Sequence, residues 1–146
     1  ALRAGEYPVR VRLQPDGDPG LALTDLARVV LVPSATPFGE AVLWRRGPST
    51  GPRYLRTADP RFQRSDRIRL ELPAPVARDT PATARMLDRR GSPLATPVQA
   101  TERQEPAGDF AWIVVDAALA PLAAGDYAIE VSQGASKQVT AFRVVP

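Results

Sequence analysis

Apolar and polar residues alternate with a period of two in the regular stretches of this chain. The clearest example is the segment 67–72, in which Ile68, Leu70 and Leu72 alternate with two arginines and Glu71. Such alternation is typical of a β-strand that buries one face and exposes the other. No segment of helix length carries an apolar stripe with the helical period. The pattern therefore predicts an all-β protein.

Proline, glycine and aspartate separate these strands, and the chain contains 16 prolines. The segment 45–61 is rich in such residues and is predicted to be a long exposed loop. Trp112 is the expected aromatic anchor of the core. About seven short strands fit between residues 34 and 146, as in an immunoglobulin- or fibronectin-like antiparallel β-sandwich. Their predicted positions are 38–44, 67–72, 83–88, 94–98, 110–116, 126–132 and 138–145.

The ending of the chain occurs twice. A Gly-Asp-Tyr step at residues 125–127 opens a strand, and the strand after it stops at Pro146. A Gly-Glu-Tyr step at residues 5–7 opens a similar strand, and its successor stops at Pro33. The sequence therefore predicts an extra N-terminal β-hairpin before the sandwich. We interpret residues 1–33 as the terminal hairpin of a preceding sandwich unit or as extra strands, and residues 34–146 as one complete domain.

Tyr127 begins the penultimate predicted strand. This position resembles the tyrosine corner of Greek-key sandwiches, in which the tyrosine hydroxyl binds nearby backbone. Tyr7 holds the same position in the first copy of the ending. Both tyrosines are therefore predicted to have a structural role rather than a catalytic one.

The chain contains no cysteine and no histidine. This excludes a Cys/His zinc site, a thiol nucleophile, a Ser-His-Asp triad and any disulfide. The sequence therefore predicts a protein that is not an enzyme and has no cofactor and no metal. Two alternatives stay open: a carboxylate-based hydrolase with two acids in one cleft, and a calcium-binding turn at Asp16 and Asp18.

The formal net charge is +3, and almost all of the basic residues are arginines. A basic chain can indicate a nucleic-acid partner. The chain has no asparagine, however, and many prolines, which is what a GC-rich coding sequence produces. The arginine excess is therefore interpreted as compositional, and nucleic acid is disfavoured as a partner. No apolar run approaches the roughly 20 residues of a membrane span.

Arginines and aromatic residues are interleaved between residues 44 and 69. Such surfaces bind anionic polymers by pairing cations with charges and stacking rings. A tryptophan and a tyrosine exposed together could also stack on a sugar. Charged strand edges that prevent aggregation have a similar pattern. The predicted ligand-binding residues are Trp44, Arg53, Tyr54, Arg56, Arg61, Phe62 and Arg64.

Three stretches, residues 54–71, 84–94 and 125–146, resemble the region downstream of the von Willebrand factor A-type domain in a group of bacterial proteins. The resemblance implies a C-terminal immunoglobulin-like module of an exported protein, secreted or in the cell envelope. The Asp-x-Ser-x-Ser adhesion motif of that domain does not occur here. No metal-binding or adhesive residue is therefore carried over. The sequence contains no signal-peptide pattern, so this localisation follows from the resemblance only.

Together these observations predict a non-catalytic immunoglobulin-like accessory module that acts as a spacer or as a protein-interaction surface. The expected partner is another protein or a neighbouring domain of the same chain. The alternative function is a binding module for glycan or another anionic polymer.

Overall fold

The computed structural model describes residues 4–15, 20, 22–32, 37–75, 80–106 and 110–146. These residues form eleven β-strands and no α-helix. The chain divides into two compact units, Ala1–Ala35 and Thr36–Pro146. Within the described ranges, no helix is long and apolar enough to cross a membrane. The prediction of an all-β protein is confirmed.

The first unit contains an antiparallel hairpin of two nine-residue strands, β1 (Gly5–Leu13) and β2 (Leu23–Leu31). The pairing is continuous from Gly5 opposite Leu31 to Leu13 opposite Leu23. Alternating valines and arginines in β1 give the strand one apolar and one charged face.

The second unit consists of two sheets. One has four strands in the order β5-β11-β10-β7, and the other has five in the order β4-β3-β6-β9-β8. Neighbouring strands are antiparallel, except that β5 runs parallel to β11. The strands are β3 (Val42–Arg46), β4 (Leu55–Arg56), β5 (Arg61–Gln63), β6 (Arg67–Pro75), β7 (Thr83–Asp88), β8 (Val98–Gln104), β9 (Phe110–Ala118), β10 (Gly125–Gln133) and β11 (Ser136–Val145).

Both sheets contribute to one apolar core. Alternate residues of β6 and β9 point inward from the five-stranded sheet, and alternate residues of β10 and β11 point inward from the other. Full burial of an aliphatic or aromatic side chain contributes about 1.5–3 kcal/mol. The packed inner faces confirm the predicted β-sandwich. Representative core residues are Ile68, Leu70, Leu72, Ile113, Val115, Ile129, Val131, Phe142 and Val144.

Trp112 is not the core anchor that the sequence predicted. The inward residues of β9 are Ile113, Val115 and Ala117, so Trp112 lies on the opposite, outer face, where its indole N–H donates to Glu105. The apolar segment around Trp112 contains no clear alternation, and neighbouring residues of a strand point to opposite faces. An error of one residue in the assumed alternation exchanges the two faces of a strand, so the sequence analysis assigned Trp112 to the core.

The described residues of the second unit form nine strands, where the sequence predicted about seven. The predicted loop 45–61 contains β4 and reaches the start of β5, and the predicted edge strand 94–98 is replaced by β8. The short β5 is fixed by two contacts: Arg143 N donates to Pro60 O at 2.9 Å, and Phe62 is buried in the core. Long-range contacts of this kind leave no local periodicity in the sequence.

β6 extends beyond the predicted strand 67–72 and continues through Pro73 and Pro75. The carbonyl oxygen of Pro73 accepts a hydrogen bond from Gly39 N, on the side of β6 away from β9. Backbone polar groups alternate in direction along an antiparallel strand. The missing N–H groups of Pro73 and Pro75 therefore point away from the β9 ladder, and pairing with β9 continues to Pro75 opposite Phe110.

Tyr127 has the geometry of a tyrosine corner. Its hydroxyl donates to Ala123 O at 3.0 Å, and its ring packs beside Phe142. The ring also covers Gly125, since a Cβ there would lie 3.7 Å from the ring. In the first unit the ring of Tyr7 covers Gly5 in the same way. The residue four positions before Tyr7 lies outside the described residues.

Candidate functional site

Four strands of the five-stranded sheet place a row of polar and aromatic side chains on its outer face. Arg69 in β6 lies opposite Trp44 in β3 and opposite Asp116 in β9, and Trp44 lies opposite Arg56 in β4. Arg69 points outward because Ile68 and Leu70, its neighbours in β6, point into the core. The three residues in register with it across the sheet point to the same side. With two nearby residues they form the outer-face cluster, which consists of Trp44, Arg46, Tyr54, Arg56, Arg69 and Asp116.

The Asp116 carboxylate accepts hydrogen bonds from both Tyr54 and Arg69. The Tyr54 hydroxyl donates to Asp116 Oδ1 at 2.8 Å. Arg69 donates from Nε and Nη2 to the two carboxylate oxygens at 3.1 and 3.0 Å. These hydrogen bonds to Asp116 raise the pKa of the Arg69 guanidinium. The bidentate pair with Arg69 fixes the direction of the Asp116 carboxylate as well as its distance. Because Tyr54, which precedes β4, donates to the same carboxylate, its ring is held against the sheet.

Guanidinium groups cover both aromatic rings of the cluster. Arg69 and Arg46 lie 4.1 and 5.1 Å from the centroid of the Tyr54 ring, and Arg56 lies 4.8 Å from that of Trp44. Such contacts occur about once per 70–80 residues in proteins, so three on one sheet face are a concentration. Within the described part of the chain, neither Arg46 nor Arg56 forms an ion pair with an acid.

This arrangement favours an anionic ligand over a neutral sugar. Sugar stacking requires an open ring face, and the rings of Trp44 and Tyr54 are covered by guanidinium groups. A guanidinium that contacts a ring through its face keeps its N–H groups, which lie in its plane, available to carboxylate or sulfate oxygens. Arg56 is exposed and Arg46 half-buried, so an anion can approach both.

Four of the seven predicted ligand-binding residues lie outside the cluster. Arg53 is exposed and precedes Tyr54 in the chain. Arg61 forms a bidentate pair with Asp59, and Arg64 donates to Ala120 O. Phe62 is 1% exposed and packs edge-on against Phe142. Its ring is a core element that a surface ligand does not reach, because β5 belongs to the other sheet and turns this residue inward.

The seven predicted ligand-binding residues do not include Arg46, Arg69 or Asp116, although Arg69 belongs to the predicted interleaved surface. The alternation in residues 67–72 already places Arg69 on an outer face. Asp116 is 62 positions from Tyr54 in the chain, and only the register between β6 and β9 brings it to the cluster. No local pattern carries that information.

A second polar site is an open cleft of about 310 Å³ beside β5, lined in part by Asp59 and Asp66. This is the arrangement that a carboxylate-based hydrolase would need. Each acid, however, lies against an arginine: Asp59 binds Arg61, and Asp66 lies 3.4 Å from Arg45 Nε. Hydrogen bonds from the Arg61 side chain and backbone lower the pKa of Asp59. A general acid needs a raised pKa, so the geometry fits structural ion pairing.

No group of three or more acidic residues that could hold a metal ion occurs in the ranges that the structure describes. The calcium-binding turn considered for Asp16 and Asp18 lies outside those ranges.

Comparisons with models of known protein families and with curated proteins found no match to this chain. The resemblance to the region downstream of von Willebrand factor A-type domains therefore stays a prediction from the sequence.

Proposed function

We propose that the second unit is a non-catalytic immunoglobulin-like accessory module of an exported bacterial protein, and that its outer-face cluster is a protein-interaction surface. The strand order supports the immunoglobulin-like assignment, because β3-β6-β9-β8 and β7-β10-β11 follow the A-B-E-D and C-F-G orders of such domains. The tyrosine corner at Tyr127 supports it as well. The exported setting is supported by the sequence resemblance, and fractionation of the source cells tests it.

The observation that carries the interaction role is the pair of arginines held over aromatic rings. Arg46 and Arg56 are positioned by Tyr54 and Trp44, so little side-chain entropy remains to be lost on binding. Arginine binds carboxylates through two parallel hydrogen bonds. The chemistry therefore fits acidic side chains on the surface of a partner protein. A module used only as a spacer would not require this concentration of cations on one face.

The linear shape of the cluster favours a second candidate, the binding of an acidic polymer. Arg56 and Arg69 stand in one row across β4, β3 and β6, and neighbouring strands are separated by roughly 4.8 Å. An extended chain that carries carboxylates or sulfates at regular intervals could follow this row. Acidic glycans have that character, whereas a neutral glycan would find the rings covered.

The experiment compares two charge-reversed variants of the chain. R46E/R56E removes the proposed contacts, and R89E/R90E changes the net charge equally at the exposed turn after β7. Binding to immobilised poly-glutamate, heparin and neutral dextran is measured at low and moderate salt. We expect poly-glutamate affinity to fall at least about tenfold, or about 1.4 kcal/mol, in R46E/R56E, and to change little in R89E/R90E.

Equal losses in both variants would mean that net charge alone governs binding, and would contradict the proposal. Absence of poly-glutamate binding by the unmodified chain would contradict it as well. Binding of heparin without binding of poly-glutamate would favour the acidic-polymer function. Circular dichroism of each variant shows whether the sandwich has remained folded.

A further inference from the structure

The hairpin β1–β2 of the first unit repeats the pairing register of the hairpin β10–β11. Tyr127 lies opposite Phe142, and Tyr7 lies opposite Val29. Both partners stand four positions before the proline that ends their strand in the sequence, and the glycine before each tyrosine lies opposite the residue two positions before that proline. A one-residue slip would exchange the two faces. The two hairpins therefore match residue by residue.

The contact between glycine and tyrosine is also the same in the two hairpins. A Cβ added at Gly125 would lie 3.7 Å from Cε2 of Tyr127, and one added at Gly5 would lie 3.8 Å from Cε2 of Tyr7. The ion pairs of the two hairpins differ in position. Asp126 pairs with Arg143 directly opposite it, at 2.6 Å, whereas Glu6 lies opposite Val30 and pairs diagonally with Arg28 at 3.5 Å. The likeness of structure therefore lies in the register and in the contact of glycine with tyrosine.

The burial of equivalent residues is opposite. Three core residues of the second hairpin, Ile129, Val131 and Phe142, have exposed fractions of 1%, 0% and 3%. Their equivalents in the first hairpin are exposed by 40%, 45% and 39%, and these are Val9, Val11 and Val29. These side chains are suited to a core, because burial of an aliphatic side chain away from water is favourable.

We propose that the first-unit hairpin is the closing hairpin of another β-sandwich, whose remaining strands are encoded before Ala1 in a longer gene product. In the second unit, the inner faces of β10 and β11 are covered by the five-stranded sheet, and their outer edges are paired with β7 and β5. The same register in β1–β2 requires the same surroundings: an apolar sheet over the valine face and one strand at each edge. The module is then one member of a tandem array.

In the second unit, the equivalent place is occupied by β10 and β11. A second copy of the chain brings the same completed sandwich and the same hairpin. The occupant that fits is a sandwich that lacks its last two strands. This inference stands apart from the outer-face cluster, so the binding experiment on Arg46 and Arg56 does not decide it.

The test compares the 146-residue chain with the product of the longer gene. Amide hydrogen exchange of β1 and β2 is measured in both, with β10 and β11 as the internal reference. We expect weak protection of β1 and β2 in the short chain, and protection at least about a hundredfold greater in the long product, since a closed sandwich exchanges only by cooperative opening. β10 and β11 should be equally protected in both.

Two matched variants of the long product separate the faces of β1. V9D/V11D places charges on the proposed inner face, whereas R10D/R12D changes the opposite face of the same strand. We expect V9D/V11D to abolish one cooperative unfolding transition and R10D/R12D to retain it. Strong protection of β1 in the short chain, a concentration-dependent dimer of the short chain that V9D/V11D dissociates, or a gene without strand-forming codons before Ala1 would each overturn the proposal.

Discussion

Aspartate side chains stabilise single turns and strands of the second unit by accepting hydrogen bonds, and two of them, Asp59 and Asp126, do so from exposed positions. The pKa of Asp126 is lowered by hydrogen bonds from the Arg143 side chain, and that of Asp59 is lowered by hydrogen bonds from Arg61. The pKa of Asp88 is lowered by backbone N–H groups of the turn that follows β7, those of Ser92 and Arg90. A carboxylate that accepts such bonds is stabilised in its charged form.

The lowered pKa of Asp88 predicts how the stability of the second unit depends on pH. Because its pKa is lower in the folded state than in the unfolded state, its contribution is present above the unfolded pKa and is lost as the pH falls through the folded pKa. The variant D88N keeps an acceptor oxygen but no charge. We expect its thermal midpoint to lie below that of the unmodified chain at neutral pH, and the difference to shrink below about pH 4.

The control for D88N is S92A, because the bond to Asp88 comes from the Ser92 backbone at 2.8 Å and not from its hydroxyl. S92A should keep the pH dependence of the unmodified chain. If the thermal midpoint of D88N is lowered by the same amount at pH 7 and at pH 3, the charge of Asp88 contributes nothing to the stability of the second unit.

At the scale of strands, the apolar–polar alternation correctly predicted those features that depend only on residues close together in the sequence. β7 was predicted at residues 83–88 and lies there, and the inward set of β6 follows its apolar alternation. The segment of β9 is apolar without alternation, so the sequence did not indicate which of its residues point inward. Trp112 was therefore predicted in the core, although it lies on the outer face. β5 and the link from Tyr54 to Asp116 depend on residues far along the chain, as does the burial of Phe62.

A contact between the end of β3 and the turn before β6 belongs to the same scale. A Cβ at Gly47 would lie 1.9 Å from Oδ1 of Asp66 and 3.0 Å from its Cγ. Asp66 cannot move freely, because it is buried, accepts a hydrogen bond from Gln63 N at 2.9 Å and lies against Arg45. The variant G47A should therefore destabilise the second unit by about 1–3 kcal/mol.

A double-mutant cycle tests that cause. In the background D66A the oxygen that collides with the new methyl group is absent, so G47A should cost much less there, with a coupling of at least about 1 kcal/mol. Denaturant unfolding of the four proteins measures the coupling. Equal costs of G47A in both backgrounds would place the strain elsewhere, in the backbone or in another neighbour.

At the scale of the whole molecule, the two units differ in what they bury. The core cluster runs from Phe38 to Val144 and is contained in the second unit. The large apolar residues that the structure leaves exposed are concentrated in the first unit, among them Leu13, Leu23 and Leu26. A β-hairpin alone is marginally stable in water. The second unit therefore carries the cooperative stability of this chain.

This distribution predicts that residues 36–146 fold without the first unit. We expect the free energy of unfolding of the 36–146 fragment to equal that of the main transition of the full chain within about 0.5 kcal/mol, by denaturant titration followed through near-ultraviolet circular dichroism. The matched control is the 41–146 fragment, which lacks Phe38, 2% exposed, and the bond from Gly39 N to Pro73 O. Because loss of a buried phenylalanine costs about 3–5 kcal/mol, this fragment should be far less stable. A 36–146 fragment as weak as the control would mean that the hairpin contributes to the second unit's stability, which would also count against its assignment to another sandwich.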